Sequence, residues 1–349
     1  MKRIFYGVAG EGLGHITRTL SVVEHMPEYE FHIFTFGKAY EFLKTIKYQN
    51  RHNIAGILFS YRHNHVNYLK TGLTTYNFFK HEIKKNLDYI KTKADELNPC
   101  LFMTDFEPSM PRVANLLNKK FISVDNQHRF LDCDLSDLPA FLKLYCRMAK
   151  LTVEYMVPNP YKTIISTFNF DNLTPNNPNV SLTYGLLRKG MDQITPSNKG
   201  FVLVYLRGTV SDIILDSLRN LNIPLHVYGH IDNKNKNYFF DKENFSFHGL
   251  SPFFIKDLAN CQCVISTAGN QLITEARFYN KPMLVVPEPG QYEQHINAFY
   301  VDKLKIGQSC SASKLNEKVV INFVNNFKPS ESKMVNGVQK VINIVNENT

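Results

Sequence analysis

The stretch from Val264 to Ala298, VISTAGNQLITEARFYNKPMLVVPEPGQYEQHINA, constrains the fold more than any other part of the chain. Val264–Ser266 is a short apolar run that predicts a strand, and Thr267–Gly269 is a turn without bulk. Asn270 is placed to N-cap a helix reaching about Tyr279, and Pro282–Val286 predicts the next buried strand. Pro287–Gly290 then forces a loop before a second helical pattern over Gln291–Asp302. Strand, helix, strand in that order is the unit of a doubly wound parallel sheet. A small-residue turn running into a helix N-terminus presents backbone N–H groups and a positive dipole end, which suits a phosphate. Glu275 lies five residues after Asn270, and its carboxylate can accept two ribose hydroxyl protons. Glu293 and Gln294 supply polar groups from the next helix start, where a sugar would sit. A purely structural βαβ unit needs none of these three side chains.

The same segment resembles the C-terminal donor site of GT-B glycosyltransferases of the MurG and UDP-glycosyltransferase type. The matching positions are Gly269, Glu275, Pro282, Pro287, Glu293, Gln294, Asn297 and Ala298, with Asn280 replacing the usual glycine before the first proline. The resemblance implies two doubly wound, Rossmann-like α/β domains facing a cleft, with a kinked C-terminal helix crossing back. It also implies a nucleotide-sugar donor, a UDP-sugar in the first instance.

A chain of 349 residues exceeds one comfortable core, so two domains are expected. No apolar run reaches the length that spans a bilayer. Met1-Lys-Arg leads straight into Ile4–Ala9, which is not a secretory pattern, so the cytoplasm is expected. Six cysteines scattered at 100, 133, 146, 261, 263 and 310 fit reduced thiols, and Cys261-x-Cys263 has no second pair at zinc spacing. The formal charge of +9 favours an anionic partner without choosing among a phosphorylated donor, a membrane surface and nucleic acid.

Arg3–Ala9 predicts the first, central strand, and Gly10-Glu-Gly-Leu-Gly14 opens a helix over His15–Met26. Gly10–Arg18 resembles the G-x-G-G-H-x-x-R segment of MurG-like enzymes, with Leu13 in place of one glycine. The resemblance puts Gly14 at the donor and makes His15 the general base; read alone, His15 could equally be a helix-capping or surface histidine. Glu30–Phe36 and Ile54–Ser60 predict the second and third strands. Tyr61–Lys93 is basic and aromatic, with Arg62, Lys70, Lys80, Lys84, Lys85, Lys91 and Lys93 facing only Glu82 and Asp88. It reads either as a solvated amphipathic helix or as a face for an anionic membrane, an acceptor or nucleic acid.

Cys100–Thr104 predicts a fourth strand ending in Asp105-Phe-Glu-Pro108. A carboxylate at that end of a central parallel strand stands where open α/β sheets bind their ligands. In the UDP-glycosyltransferase group such an Asp holds the catalytic His, which implies that role for Asp105; its structural alternative is an N-cap for the helix from Ser109. Lys120–Val124 predicts a fifth strand, followed by Asp125-Asn-Gln-His128. The pair D-F-E-P and D-N-Q-H resembles a less characterised bacterial and archaeal branch of GT-B glycosyltransferases. Acceptor contacts are expected from Glu107, Asp125, Asn126 and His128, with His128 a second base candidate. No regular ligand spacing points to a metal, and no cofactor is expected.

Ser136–Tyr155 predicts a helix and Thr163–Ser166 the last strand of the first domain. Asn169–Lys199 has no periodic pattern, so the first domain is placed at 1–182 and a linker at 183–199. Gly200–Leu206 opens a second domain over 200–328. MurG-like enzymes carry a glycine-rich turn after this strand; here Arg207, Gly208 and Thr209 are the expected diphosphate contacts. Leu225–Tyr228 and Phe245–Phe247 predict strands. In the resembling fold, backbone at Gly249 and the side chain of Leu250 or Phe253 flank the base. Helical patterns over Lys314–Phe327 and Glu331–Glu347 are split by Pro329, and residues 329–349 are expected to cross back.

Together these readings imply an inverting, metal-independent transfer from a UDP-sugar to a hydroxyl of a lipid-linked or glycan acceptor, in cell-envelope glycan synthesis. A non-hydrolysing UDP-sugar 2-epimerase on the same fold is the first alternative. A basic nucleic-acid-binding protein, or a transferase acting on DNA, is the second, though no nucleic-acid motif is present.

Overall fold

The computed structural model describes residues 1–58, 60–62, 65–207, 210–229, 243–331 and 334–349. They fall into two units. Unit 1 comprises Met1–Ser60, Asn67–Lys189 and Asn336–Thr349; unit 2 comprises Tyr61–Val66 and Gly190–Val335. The strands in chain order are β1 (Lys2–Val8), β2 (Tyr29–Thr35), β3 (Arg51–Asn53), the short β4 (Tyr61–Arg62) and β5 (His65–Val66), β6 (Leu101–Asp105), β7 (Phe121–Asp125), β8 (Lys162–Thr167) and β9 (Val180–Tyr184). The second set is β10 (Val202–Leu206), β11 (Leu225–Gly229), β12 (Phe245–Gly249), β13 (Cys263–Ser266), β14 (Met283–Val285) and β15 (Gly307–Ser309).

Unit 1 is built on a parallel sheet of order β3-β2-β1-β6-β7-β8-β9. Alternate residues of β1 serve opposite faces, as strand geometry requires. Ile4, Tyr6 and Val8 pack with Ile16 and Leu20 of the Leu13–Val23 helix and with Val338, Val341 and Val345 of the Val338–Asn346 helix. Phe5 points the other way, to Phe34, Phe102, Ile90 and Val113. Both faces are covered by helices, which explains the unbroken apolar run of β1. Unit 2 repeats the plan with a parallel sheet of order β12-β11-β10-β13-β14-β15. Each sheet reverses its strand order once, at β1/β6 and at β10/β13. Those reversals are the places where open α/β sheets leave a crevice at the carboxyl ends of their strands.

Several element boundaries differ from the expectation. The third strand is Arg51–Asn53 rather than Ile54–Ser60. The helix expected from Ser136 begins at Ala140, directly after Pro139, and runs to Met156. Thr163–Ser166 lies in β8, but β8 is not the last strand: β9 pairs along its edge, from Thr163↔Val180 to Thr167↔Tyr184. In that strand Val180, Leu182 and Thr183 are buried and Ser181 and Tyr184 half-buried. The C-terminal patterns form two helices, Glu317–Asn326 in the core of unit 2 and Val338–Asn346 in the core of unit 1. All six cysteines are free thiols. Among the described residues no helix is long and apolar enough to cross a membrane.

Candidate active site

At the strand-order reversal of unit 1, the Leu13–Val23 helix starts just beyond β1, with Gly12 as its N-cap. The turn before it lies against the end of β2, where a Cβ on Gly10 would come within 1.9 Å of the Phe36 carbonyl oxygen. Glycine is therefore required at that position. His15 and Arg18 are three residues apart on one helix face. Both reach Asp105, the last residue of β6. His15 Nδ1 lies 2.7 Å from Asp105 Oδ1, Arg18 Nε donates to Oδ2 at 2.9 Å, and Arg18 Nη2 donates to Oδ1 at 2.5 Å. Side-chain exposure is 19% for His15, 4% for Arg18 and zero for Asp105. Burial works against the Arg18 charge, but the adjacent Asp105 carboxylate outweighs it and raises the guanidinium pKa. The two-pronged Arg18 contact fixes the carboxylate plane, so Oδ1 faces the imidazole. With Nδ1–H donated to Asp105, Nε2 carries the lone pair that can take a proton. Asp105 is thus a partner of His15 and not a cap for the following helix.

That cap is Glu107. Its Oε1 accepts from Ser109 N–H and its Oε2 from Met110 N–H, both at 2.8 Å. Phe106 at φ 58° bends the chain so that Glu107 folds under its own helix. Gly7 makes room for it, since a Cβ there would sit 2.6 Å from Glu107 Oε2 and 2.7 Å from Met110 Cβ. Burial raises the Glu107 pKa, and the helix N–H groups oppose the rise. After β7, Asp125 accepts from Ser123 Oγ at 2.6 Å and from His128 N–H at 2.9 Å, and His128 Nδ1 lies 2.6 Å from its Oδ2. Burial alone would raise the Asp125 pKa, but His128 and the hydrogen bonds hold it down to about 2. Burial opposes the His128 charge, and Asp125 more than compensates, raising the imidazole pKa. Glu107, Asp125, Asn126 and His128 are all wholly buried. The four residues expected at the acceptor are thus interior in this structure, and the Glu107 and Asp125 carboxylates are taken up by neighbouring N–H and O–H groups that shape two turns.

At the strand-order reversal of unit 2, Ser266 ends β13 and the Asn270–Phe278 helix follows. The N-cap is Gly269, not Asn270, and no side chain caps it. A Cβ on Gly269 would meet nothing within 4 Å, so the space in front of the turn is open. Asn297 Nδ2 donates to Ala268 O at 2.8 Å and holds the turn from behind. Glu275 is buried one turn in, where Gln271 Nε2 donates to its Oε1 at 3.0 Å. Gln294 does not stand free either. Its Oε1 accepts from Glu288 N–H at 2.9 Å, and its Nε2 donates to Glu288 Oε1 at 3.1 Å. The other Glu288 oxygen, Oε2, is buried without a hydrogen-bond partner among the described residues. Glu293 is half-buried in the first turn of the Tyr292–Lys303 helix.

Arg207 directly follows β10, while Gly208 and Thr209 lie outside the described residues. Gly249 ends β12 at φ 58°, and Leu250 and Phe253 beyond it are 64% and 62% exposed. The helix after them is tied to the sheet by Asp257, which accepts from Tyr228 Oη at 2.7 Å and lies 2.6 Å from His226 Nδ1.

Arg18 and Glu288 were missed from sequence. Arg18 was legible as the last position of the Gly10–Arg18 motif, three residues after His15. Glu288 sits between two prolines in the loop that precedes Glu293, and nothing local marks it.

Residues 2–328 match the family model described as glycosyl transferase family 1. No curated protein matches the chain. Solved structures share its fold at low identity. MurG of Acinetobacter baumannii is 13% identical with a TM-score of 0.59, covering 99% of this chain and 100% of its own. LpCGTa in complex with UDP is 12% identical with a TM-score of 0.64, covering 100% and 99%. Medicago truncatula UGT71G1 in complex with UDP-glucose is 14% identical with a TM-score of 0.58, covering 99% and 94%. With a family match over most of its length and two parallel-sheet units of the GT-B kind, the chain belongs to glycosyl transferase family 1 and is a glycosyltransferase.

Proposed function

We propose that the protein transfers a sugar from a UDP-sugar to a hydroxyl acceptor, with inversion and without a metal or other cofactor. The observation that carries the reading is the His15–Asp105–Arg18 cluster at the strand-order reversal of unit 1. In this scheme His15 Nε2 takes the acceptor hydroxyl proton as that oxygen attacks the anomeric carbon. Asp105 stabilises the imidazolium that forms, and Arg18 keeps Asp105 in place. Unit 2 holds the donor. The N–H groups at the start of the Asn270–Phe278 helix take the leaving diphosphate, a fixed dipole aimed where charge develops. Arg207 adds a cation to the same anion. Glu275 exchanges its Gln271 hydrogen bond for ribose hydroxyls, Leu250 and the Gly249 backbone flank the base, and Glu293 with the Glu288–Gln294 pair meets the sugar.

The acceptor is a lipid-linked or glycan hydroxyl of cell-envelope synthesis, met from the cytoplasm. LpCGTa with UDP and UGT71G1 with UDP-glucose among the structural relatives support the donor class. The test is release of UDP from a panel of UDP-sugars offered with glycan and lipid-linked acceptors. Release that depends on acceptor and falls by about 10²–10⁴ in His15→Ala supports the assignment. Full turnover in His15→Ala sinks the base, and conversion of the UDP-sugar without acceptor or UDP release identifies an epimerase instead.

A further inference from the structure

A pair of histidines and a carboxylate meet on one face of the unit 2 sheet, and none of them is assigned to donor or base. His226 and Tyr228 are alternate residues of β11 and share that face. Beside them the ladder between β11 and β12 slips: Val227 faces Phe247, but Tyr228 faces Gly249. His248 is therefore the extra residue of a bulge, a device that re-aims a side chain. Its ring stacks on Tyr228 at 4.9 Å and lies 5.1 Å from the His226 ring, which stacks in turn on Phe201 at 3.9 Å. Asp257 reaches the same place from the Phe254–Asn260 helix. One ligand atom from each of His226, His248 and Asp257 lies within 4.8 Å of the other two. The His226 and Asp257 side chains are 28% and 18% exposed, so an ion can reach them from solvent.

The hydrogen bonds among His226, Asp257 and Tyr228 account for those three side chains without any ion. They leave His248 unexplained, because its Nε2 is buried with no hydrogen-bond partner among the described residues. We propose that His226, His248 and Asp257 hold a divalent transition-metal ion, with zinc the first candidate. Two imidazoles and a carboxylate are a zinc-type donor set, whereas magnesium takes oxygen. Zinc bonds of about 2.0–2.2 Å put tetrahedral donors roughly 3.4 Å apart, so shifts of about 1 Å close the three on the ion. His226 coordinates through Nδ1, the nitrogen that already faces Asp257, and carries its hydrogen on Nε2. His248 coordinates through the unpartnered Nε2, and water fills the remaining position. Tyr228 Oη keeps its hydrogen bond to the carboxylate and orients it, as the outer shell of a metal site does. The ion cross-links β11, β12 and the Phe254–Asn260 helix, and so pins both ends of the Gly249–Phe253 turn. Its role is structural, and the site does not depend on the donor or base assignments.

The test is calorimetric titration of the full chain with zinc chloride, after a chelator has stripped it of metal. One zinc per chain is expected, with the unfolding temperature raised by saturating zinc and not by magnesium. His248→Phe keeps a ring against Tyr228 and removes the nitrogen. It should weaken zinc binding at least ~hundredfold, while the metal-free variant melts with the metal-free wild type. Tyr228→Phe removes only the outer-shell hydroxyl and should weaken binding ~10–100-fold. His81→Gln, at an exposed histidine of unit 1, should leave binding unchanged. No zinc bound by wild type, the same affinity in His248→Phe, or a magnesium effect equal to that of zinc would each overturn the proposal. The readouts are binding and melting, so failure here leaves the proposed transfer reaction untouched.

Discussion

Replacing Asp105 by Asn keeps the shape of the buried cluster and removes its negative charge. The Arg18 guanidinium, 4% exposed, is then an interior cation without a counter-ion. Breaking one partner of a buried ion pair costs about 3–5 kcal/mol. The Asn oxygen can still accept one hydrogen bond from Arg18, which returns about 1 kcal/mol. The expected net loss for Asp105→Asn is therefore about 2–4 kcal/mol. Removing both charges, with Arg18→Met and Asp105→Asn together, leaves no orphaned cation, and buried ion pairs replaced by neutral groups are often close to neutral in stability. The double variant should thus be no less stable than Asp105→Asn alone, so the coupling in a double-mutant cycle should be at least the loss from Arg18→Met alone, about 3–5 kcal/mol. Urea unfolding followed by circular dichroism reads all four proteins without any substrate. A loss below about 1 kcal/mol for Asp105→Asn, or strictly additive single losses, would refute the reading of Arg18 and Asp105 as a mutually dependent pair.

Three further outcomes are expected. His15→Ala should leave stability within about 1 kcal/mol of wild type, since the side chain is partly exposed, while turnover falls by about 10²–10⁴; unfolding and UDP release measured on one preparation separate the two effects. Gly7→Ala should destabilise by about 1–3 kcal/mol, because its Cβ would collide with Glu107 and Met110; truncating Glu107 to Ala as well should make the Gly7 change milder, read as a smaller shift in unfolding midpoint. The Asp125 carboxyl is lowered from 3.8 to about 2 in the folded state, so its contribution of about 2 kcal/mol is present above pH 3.8 and fades as pH falls through about 2. His128 is raised above 6.5, so its contribution is full below that pH and is lost as pH rises through the folded value. Stability from the pair should therefore peak between about pH 4 and 6.5, and His128→Asn should flatten that dependence in urea titrations across pH.

The parts legible from sequence are those with strong local punctuation. In Val264–Ala298 the small-residue turn and the proline-bounded strand fix every element to within a few residues, apart from the cap at Gly269. His15 was legible because it follows a glycine turn after an apolar strand, and Asp105 because it stands at the end of one. Their common clamp was not, because Arg18 and Asp105 are 87 residues apart and helix spacing alone does not name a distant partner. Strand β9 was hidden because it is an edge strand of only five residues, and its burial pattern, with Leu182 and Thr183 both buried, does not alternate cleanly. The capping role of Glu107 was hidden because composition says nothing of direction: the left-handed Phe106 turns the carboxylate back under its own helix. For Ala140–Met156 the sequence predicts a helix without naming its inner face, and only the burial of one side shows that Phe141, Leu144, Met148, Leu151 and Tyr155 point outward.

The measurement closest to the central claim is thermal unfolding with UDP, TDP, GDP and ADP, on wild type and on Glu275→Ala. A ligand held only by the folded state at about a hundredfold excess over its Kd adds about 2.7 kcal/mol, a rise in Tm of roughly 5–10 °C for a unit of this size. The account predicts such a rise with UDP, abolished in Glu275→Ala while the unliganded variant still melts cooperatively. A wild-type Tm that moves with none of the four nucleotides would contradict it.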